Sequence, residues 1–298
     1  MRQYLLGLMM LLGASVPATA DSTCQPKPAG SLDMTVGSLI TVPITLGGQS
    51  FTFSIATGGP SLIDKAVLER LGIHSQRLTG LGFSMMGGKP IENFAVLRDI
   101  DLGGRNIGAT AFLVAPDSML PDGIQGTIAP DLLRSFDVEL DFAHLKLNLF
   151  ELDYCNGSPV YWTKDPFTEI AFPLDSFGFV RFPVLLDGKE IKIELEAGAS
   201  KTFFDLETAE QAFGFDSNDP RLAKLYKTAH GYAYSFPFKT LGAGKVSVAD
   251  PAIILMSNQD SRMGPEFHGM VGLDVLRRLH IYLSYHRRKL FATDVDAH

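Results

Sequence analysis

Residues 42–59, VPITLGGQSFTFSIATGG, align without gaps to residues 182–199, FPVLLDGKEIKIELEAGA, at an offset of 140. Pro43, Leu46, Gly48 and Gly58 recur as Pro183, Leu186, Gly188 and Gly198, and each of Val42, Ile44, Phe51, Phe53 and Ile55 meets another apolar residue. A second block, GTIAPDLLRSFDVELDF at 126–142, aligns to GMVGLDVLRRLHIYLSY at 269–285 at an offset of 143. Because the offsets differ by only three residues, the two halves carry one order of elements with short insertions. A chain built this way folds as two related lobes.

Each half reads locally in the same way. Phe51, Phe53 and Ile55, like Ile191, Ile193 and Leu195, alternate with the period of two that buries one face of a strand. Each run follows a two-residue turn, Gly47-Gly48 or Asp187-Gly188, suited to the positive φ of a tight hairpin. Helical stretches are expected at Lys65–Leu71 and Leu206–Phe213, each stopped by a glycine. Each half should end in a strand, a turn and a strand: Val138–Phe142 with Lys146–Phe150, and Ile281–Tyr285 with Lys289–Ala292. Asp137 and Asp141 alternate with Val138 and Leu140, which predicts that they face solvent. The divisions expected are a leader at 1–20, a first lobe at 21–153, a linker at 154–170 and a second lobe at 171–298.

The leader carries Arg2, a mainly apolar run from Leu5 to Leu12, and Ala18-Thr19-Ala20, the small-x-small pattern read by signal peptidase. The expectation is export, to the periplasm or the medium, with cleavage after Ala20. The apolar run is shorter than the ~20 residues that span a bilayer, so no membrane span is expected. With 26 basic against 33 acidic residues the net charge is −7, and losing Arg2 makes the mature chain one unit more acidic. Such a chain lacks the basic face that nucleic acid requires. Cys24 and Cys155 are the two cysteines, and an exported chain most simply pairs them. The bridge would close a loop of about 130 residues, for which chain entropy allows roughly 4–5 kcal/mol.

The repeated hairpin that ends in a short polar and glycine loop, followed about seventy residues later by an apolar-apolar-Gly element, resembles the lobe of an aspartic protease. Two such lobes in one chain are similar to the pepsin-like arrangement, and their short length to bacterial retropepsin-like proteins. The resemblance implies a mostly β fold of two duplicated β-barrel-like lobes with short helices. In that family each loop reads Asp-Thr/Ser-Gly and contributes one catalytic aspartate. Here the loops read Ala56-Thr57-Gly58 and Glu196-Ala197-Gly198. The apolar-apolar-Gly element is present as Met270-Val271-Gly272 and as Thr127-Ile128-Ala129, one methyl larger.

The family's chemistry needs two carboxylates ~3 Å apart that share a proton. A methyl at Ala56 offers no acceptor. Glu196 keeps a carboxyl on one more methylene, so it is the degenerate catalytic position, paired with Ala56. Thr57 retains the hydroxyl that reaches across to the other loop in the family; Ala197 cannot reciprocate. The glycines that shape the loops persist while the groups that do chemistry are lost. The resemblance also implies a flap over the cleft, and Met85-Met86-Gly87-Gly88 lies at its position.

There is no G-x-S-x-G elbow, H-E-x-x-H helix or phosphate loop. His280 and His286 are spaced too widely along a strand for an obvious metal pair. No cofactor and no metal are expected. The leading expectation is an exported binder that holds a peptide or protein segment in the interlobe cleft without cutting it. Two alternatives stay open at this point: a peptidase using Glu196, and a structural or inhibitory partner of another exported protein.

Overall fold

The computed structural model describes residues 25–79, 83–84, 90–152, 158–261 and 263–296. The leader, Cys24, Cys155 and the Met85–Gly88 segment lie outside the described residues.

The hairpin Ile40–Leu46 with Gln49–Ile55 turns through Gly47 and Gly48 at φ 55° and 77°. Its counterpart, Val180–Leu186 with Lys189–Leu195, turns through Asp187 and Gly188 at φ 44° and 79°. Along Gln49–Ile55, Phe51, Phe53 and Ile55 are buried while Thr52 is exposed, the alternation that the sequence carries. Pro43 is tolerated because it lies opposite Thr52, which turns its own N–H and C=O away to Gln125, so no ladder bond is asked of the proline nitrogen.

In the first lobe the sheet runs Arg105–Asn106, Ile100–Leu102, Ile40–Leu46, Gln49–Ile55, Gly126–Ile128, Leu62–Ile63, Thr110–Val114, Asn93–Leu97 and Gln76–Arg77. A tenth strand, Thr35–Val36, pairs with Ile40–Leu46 outside that path. The second lobe follows the same order: Val246–Ala249, Thr240–Ala243, Val180–Leu186, Lys189–Leu195, Gly269–Val271, Thr202–Asp205, Ile253–Met256, Tyr232–Ser235 and Ala223–Lys227. In both, the apolar-apolar-Gly/Ala strand lies parallel to the long hairpin strand and antiparallel to the strand after the loop. The helices Lys65–Leu71 and Leu206–Phe213 fall where expected, capped by Asp64 and Asp205 and stopped at Gly72 and Gly214.

A six-stranded sheet joins the lobes in the order Pro28–Asp33, Lys146–Phe150, Asp137–Asp141, Leu279–Ser284, Lys289–Asp294, Thr168–Ala171. Its central pairing sets Glu139 opposite Tyr282, Val138 opposite Leu283 and Leu140 opposite Ile281. Residues 143 apart are equivalent, so this register places a pseudo-two-fold axis through the Glu139–Tyr282 pair. Val138, Leu140, Ile281 and Leu283 enter the main core.

The opposite face of this sheet corrects one expectation. Asp137, Glu139 and Asp141 are 2%, 0% and 8% exposed, because the segment after the first lobe folds across them. Val160, Trp162 and Phe167 pack there on Phe150, Tyr282 and Phe291. Glu139 accepts hydrogen bonds from Asn148 Nδ2 at 2.6 Å and Tyr161 Oη at 2.9 Å, and pairs with His280 Nε2 at 3.0 Å. The His280 ring stacks on Trp162, centroids 4.2 Å apart. Asp137 accepts from the Tyr282 hydroxyl, and burial raises its carboxyl above the ordinary range. Strand alternation put these acids on the face away from the core; the covering segment turned that face into an interior.

Removing the acceptor from a buried hydrogen-bonded cluster leaves its partners unpaired, at about 1–3 kcal/mol each. Glu139→Ala, which strips Asn148, Tyr161 and His280 of their partner, is expected to cost about 3–5 kcal/mol in denaturant unfolding, and the Glu139→Leu/His280→Leu double variant less than that. Equal losses from the single and double variants would contradict this account of the sheet.

Candidate functional site

The two glycine loops leave their hairpins at Ile55 and Leu195 and meet beside the pseudo-two-fold axis. A Cβ placed on Gly198 would lie 3.2 Å from Ala56 Cβ and 2.9 Å from Glu196 Oε1, so all three groups share one small volume. Ala56 (9% exposed), Thr57 (2%) and Ala197 (0%) are buried, and Glu196 is half-buried.

Thr57 joins the lobes. Its hydroxyl donates to Leu195 O at 2.8 Å and accepts from Ala197 N–H at 2.9 Å. The reciprocal bonds lack their hydroxyl, because position 197 carries a methyl, and the Thr57 N–H goes to Glu196 instead. The Tyr285 hydroxyl, also buried, donates to Thr57 O at 3.4 Å. Burial drives its ionisation well above the ordinary value for tyrosine, and the neighbouring Glu196 adds to the rise.

Glu196 bends back over its own loop. Its Oε1 accepts from Gly198 N–H at 2.7 Å and, across the lobe boundary, from Thr57 N–H at 3.2 Å. Loss of hydration outweighs these bonds and pushes the carboxyl from about 4.5 up to about 7; the acid Glu194 adds to the rise, while Gly198, Thr57 and Gly58 N–H groups oppose it. Glu194 does not take the place of a second site carboxylate, since Arg181 holds it through Nε at 2.9 Å and Nη2 at 2.8 Å.

Two features were not read from the sequence. The first is a pair of hydroxyl–carboxylate clamps behind the loops. Ser61 Oγ donates to Asp131 Oδ1 at 2.5 Å and accepts from Ala129 N–H; Thr202 Oγ1 donates to Asp274 Oδ1 at 2.7 Å and accepts from Gly272 N–H. The signal was present in the Asp131 and Asp274 identity, but the partners lie about seventy residues earlier. The second is Phe179. It leads into the Val180–Leu186 strand from a turn in which Asp175 Oδ1 accepts the N–H groups of Phe177 and Phe179. A Cβ on Gly58 would lie 2.3 Å from its ring, so the absence of a side chain there lets the ring lie on the loop.

Strands Phe83–Ser84 and Pro90–Ile91 pair antiparallel on either side of the segment proposed as a flap. Asp137 and Asp141 belong to the interlobe sheet and do not enter the loop junction.

Residues 42–128, from the first hairpin to the strand behind its loop, match the family model described as aspartyl protease. The fold is similar to that of basic 7S globulin from soybean, with a TM-score of 0.54 and 12% identity over 91% of this chain and 96% of that one. The fold is aspartic-protease-like. No curated protein matches it in sequence.

Within this aspartic-protease-like frame the raised carboxyl links protonation to stability. A folded-state value above the unfolded one means that the folded chain binds the proton more tightly. The contribution of Glu196 is therefore intact below about pH 4.5 and is lost as pH rises through about 7. Between pH 5 and pH 8 the native chain is expected to lose about 1–3 kcal/mol more than Glu196→Gln, measured by urea unfolding. Parallel pH profiles for the two proteins would refute the assignment.

Proposed function

We propose that the chain is an exported, non-catalytic binder whose interlobe cleft holds an extended peptide or protein segment. One observation carries this reading: among the described residues the junction of the two loops holds a single carboxyl, Glu196, facing the methyl of Ala56, with one of its oxygens already accepting two backbone N–H bonds. In aspartic proteases the equivalent positions are both aspartate, and hydrolysis needs one group to activate water while the other holds the proton. With no acceptor at position 56 and the remaining carboxyl displaced by a methylene, water has no activated position. Loss of a general acid or base typically costs ~10² to 10⁴ in rate.

The parts that shape a cleft are kept. Grooves between lobes are the usual ligand sites, and an extended peptide can add its backbone to strand edges beside such a groove. Phe179, half-buried over Gly58 with the Arg181 guanidinium 4.8 Å from its ring centroid, adds an aromatic ring to the loop junction. The leader pattern at 1–20 supports export, and in an oxidising compartment Cys24 and Cys155 would pair. One observation favours the peptidase alternative: a carboxyl near pH 7 has the proton affinity of a general base at neutral pH.

Incubation with a denatured protein substrate from pH 3 to 7 separates the two. The native chain and Glu196→Ala are expected to leave the substrate equally intact, while Ala56→Asp/Glu196→Asp gains cleavage at the acidic end. Cleavage by the native chain that disappears in Glu196→Ala would overturn the proposal.

A further inference from the structure

The two lobes fill their barrels unequally. At the offset of 143, Leu132, Phe136 and Leu149 of the first lobe become Val275, Leu279 and Ala292 of the second. Strand register adds a fourth reduction: Ile100 pairs with Leu46 as Leu241 pairs with Leu186, so Ala243 stands where the first lobe has Leu102. Two enlargements, Val42 to Phe182 and Val138 to Ile281, return less volume than these four remove.

The deficit appears as a cavity of about 50 Å³ inside the second lobe. Ile193, Leu195 and Val248 of the lobe's own sheet line it, with Val275 from the short helix Leu273–Leu276 and Ile281 and Ala292 from the interlobe sheet. Among the described residues Thr168 is the one polar side chain on its wall. That hydroxyl is spent: it donates to Ala243 O at 3.0 Å and accepts from Lys245 N–H at 2.7 Å and Val246 N–H at 3.1 Å. Gly242 and Ala243 on the same wall are paired within the sheet. A buried water needs two to four polar partners, and the wall has none to give.

A dry void lined by aliphatic groups favours an apolar guest. A cavity of about 150 Å³ with such a lining takes benzene or xenon, and this one is smaller. We propose that the interior of the second lobe is a binding site for a small apolar guest, of the size of xenon or a hydrocarbon of about two or three carbons. Entry lies where the strands Thr168–Ala171 and Thr240–Ala243 meet, since Ile170, Ala243 and Leu279 are half-buried there. The site is separate from the cleft and does not depend on how the cleft is used.

The test is methyl NMR of the purified chain under increasing xenon pressure. The native protein should show saturable shifts confined to Ile193, Leu195, Val248, Val275 and Ile281. These shifts should vanish in Ala292→Leu, which restores the residue of the first lobe; if that variant does not fold, Val275→Leu serves the same purpose. Shifts that rise linearly without saturation, or that spread over both lobes, would overturn the proposal. So would saturable shifts that persist unchanged in a folded filling variant.

Discussion

The pairing of Asp137–Asp141 with Leu279–Ser284 makes two lobes into one body, and the position of the loop junction follows from it. Because the pseudo-two-fold axis passes through Glu139 and Tyr282, a loop leaving one lobe meets its equivalent from the other. Thr57 then closes the junction with one hydroxyl that serves a carbonyl and an N–H of the opposite loop. The hydroxyl–carboxylate clamps at Ser61–Asp131 and Thr202–Asp274 hold the strands behind it. The buried Glu139–His280 pair ties the same sheet together on its outer face.

Against this symmetric frame, the asymmetries are informative. Thr57 faces Ala197, so the bridge between lobes is made from one side. Ala56 faces Glu196, so among the described residues the junction holds one carboxyl. Desolvation then acts on a group that shares its proton with no neighbour, and the result is a raised but single ionisation. The second lobe also carries smaller side chains at Ala243, Val275 and Ala292, and these line its cavity. Each difference sits at a position whose partner in the other lobe is identifiable, so each can be reverted individually.

Much of the architecture was legible because the duplication gave two readings of every element. The hairpins, the helices Lys65–Leu71 and Leu206–Phe213, and the closing strands all fall close to the expected residues. The misread acids show where period-two alternation fails. It separates one face of a strand from the other, but whether the second face meets water depends on Trp162 and Tyr161, which belong to the segment between the two repeats. The clamp hydroxyls and Phe179 were hidden for a related reason: their partners are set by strand register and by a turn that crosses between lobes, and neither leaves a local pattern.

The most direct measurement is a carbon-detected NMR titration of the Glu196 carboxyl, followed together with the amides of Thr57 and Gly198. The geometry predicts one transition near pH 7, with both amides moving at the same midpoint although one of them belongs to the other lobe. A Glu196 that titrates near 4.5 while the Thr57 amide stays still would show that the loops do not meet as described.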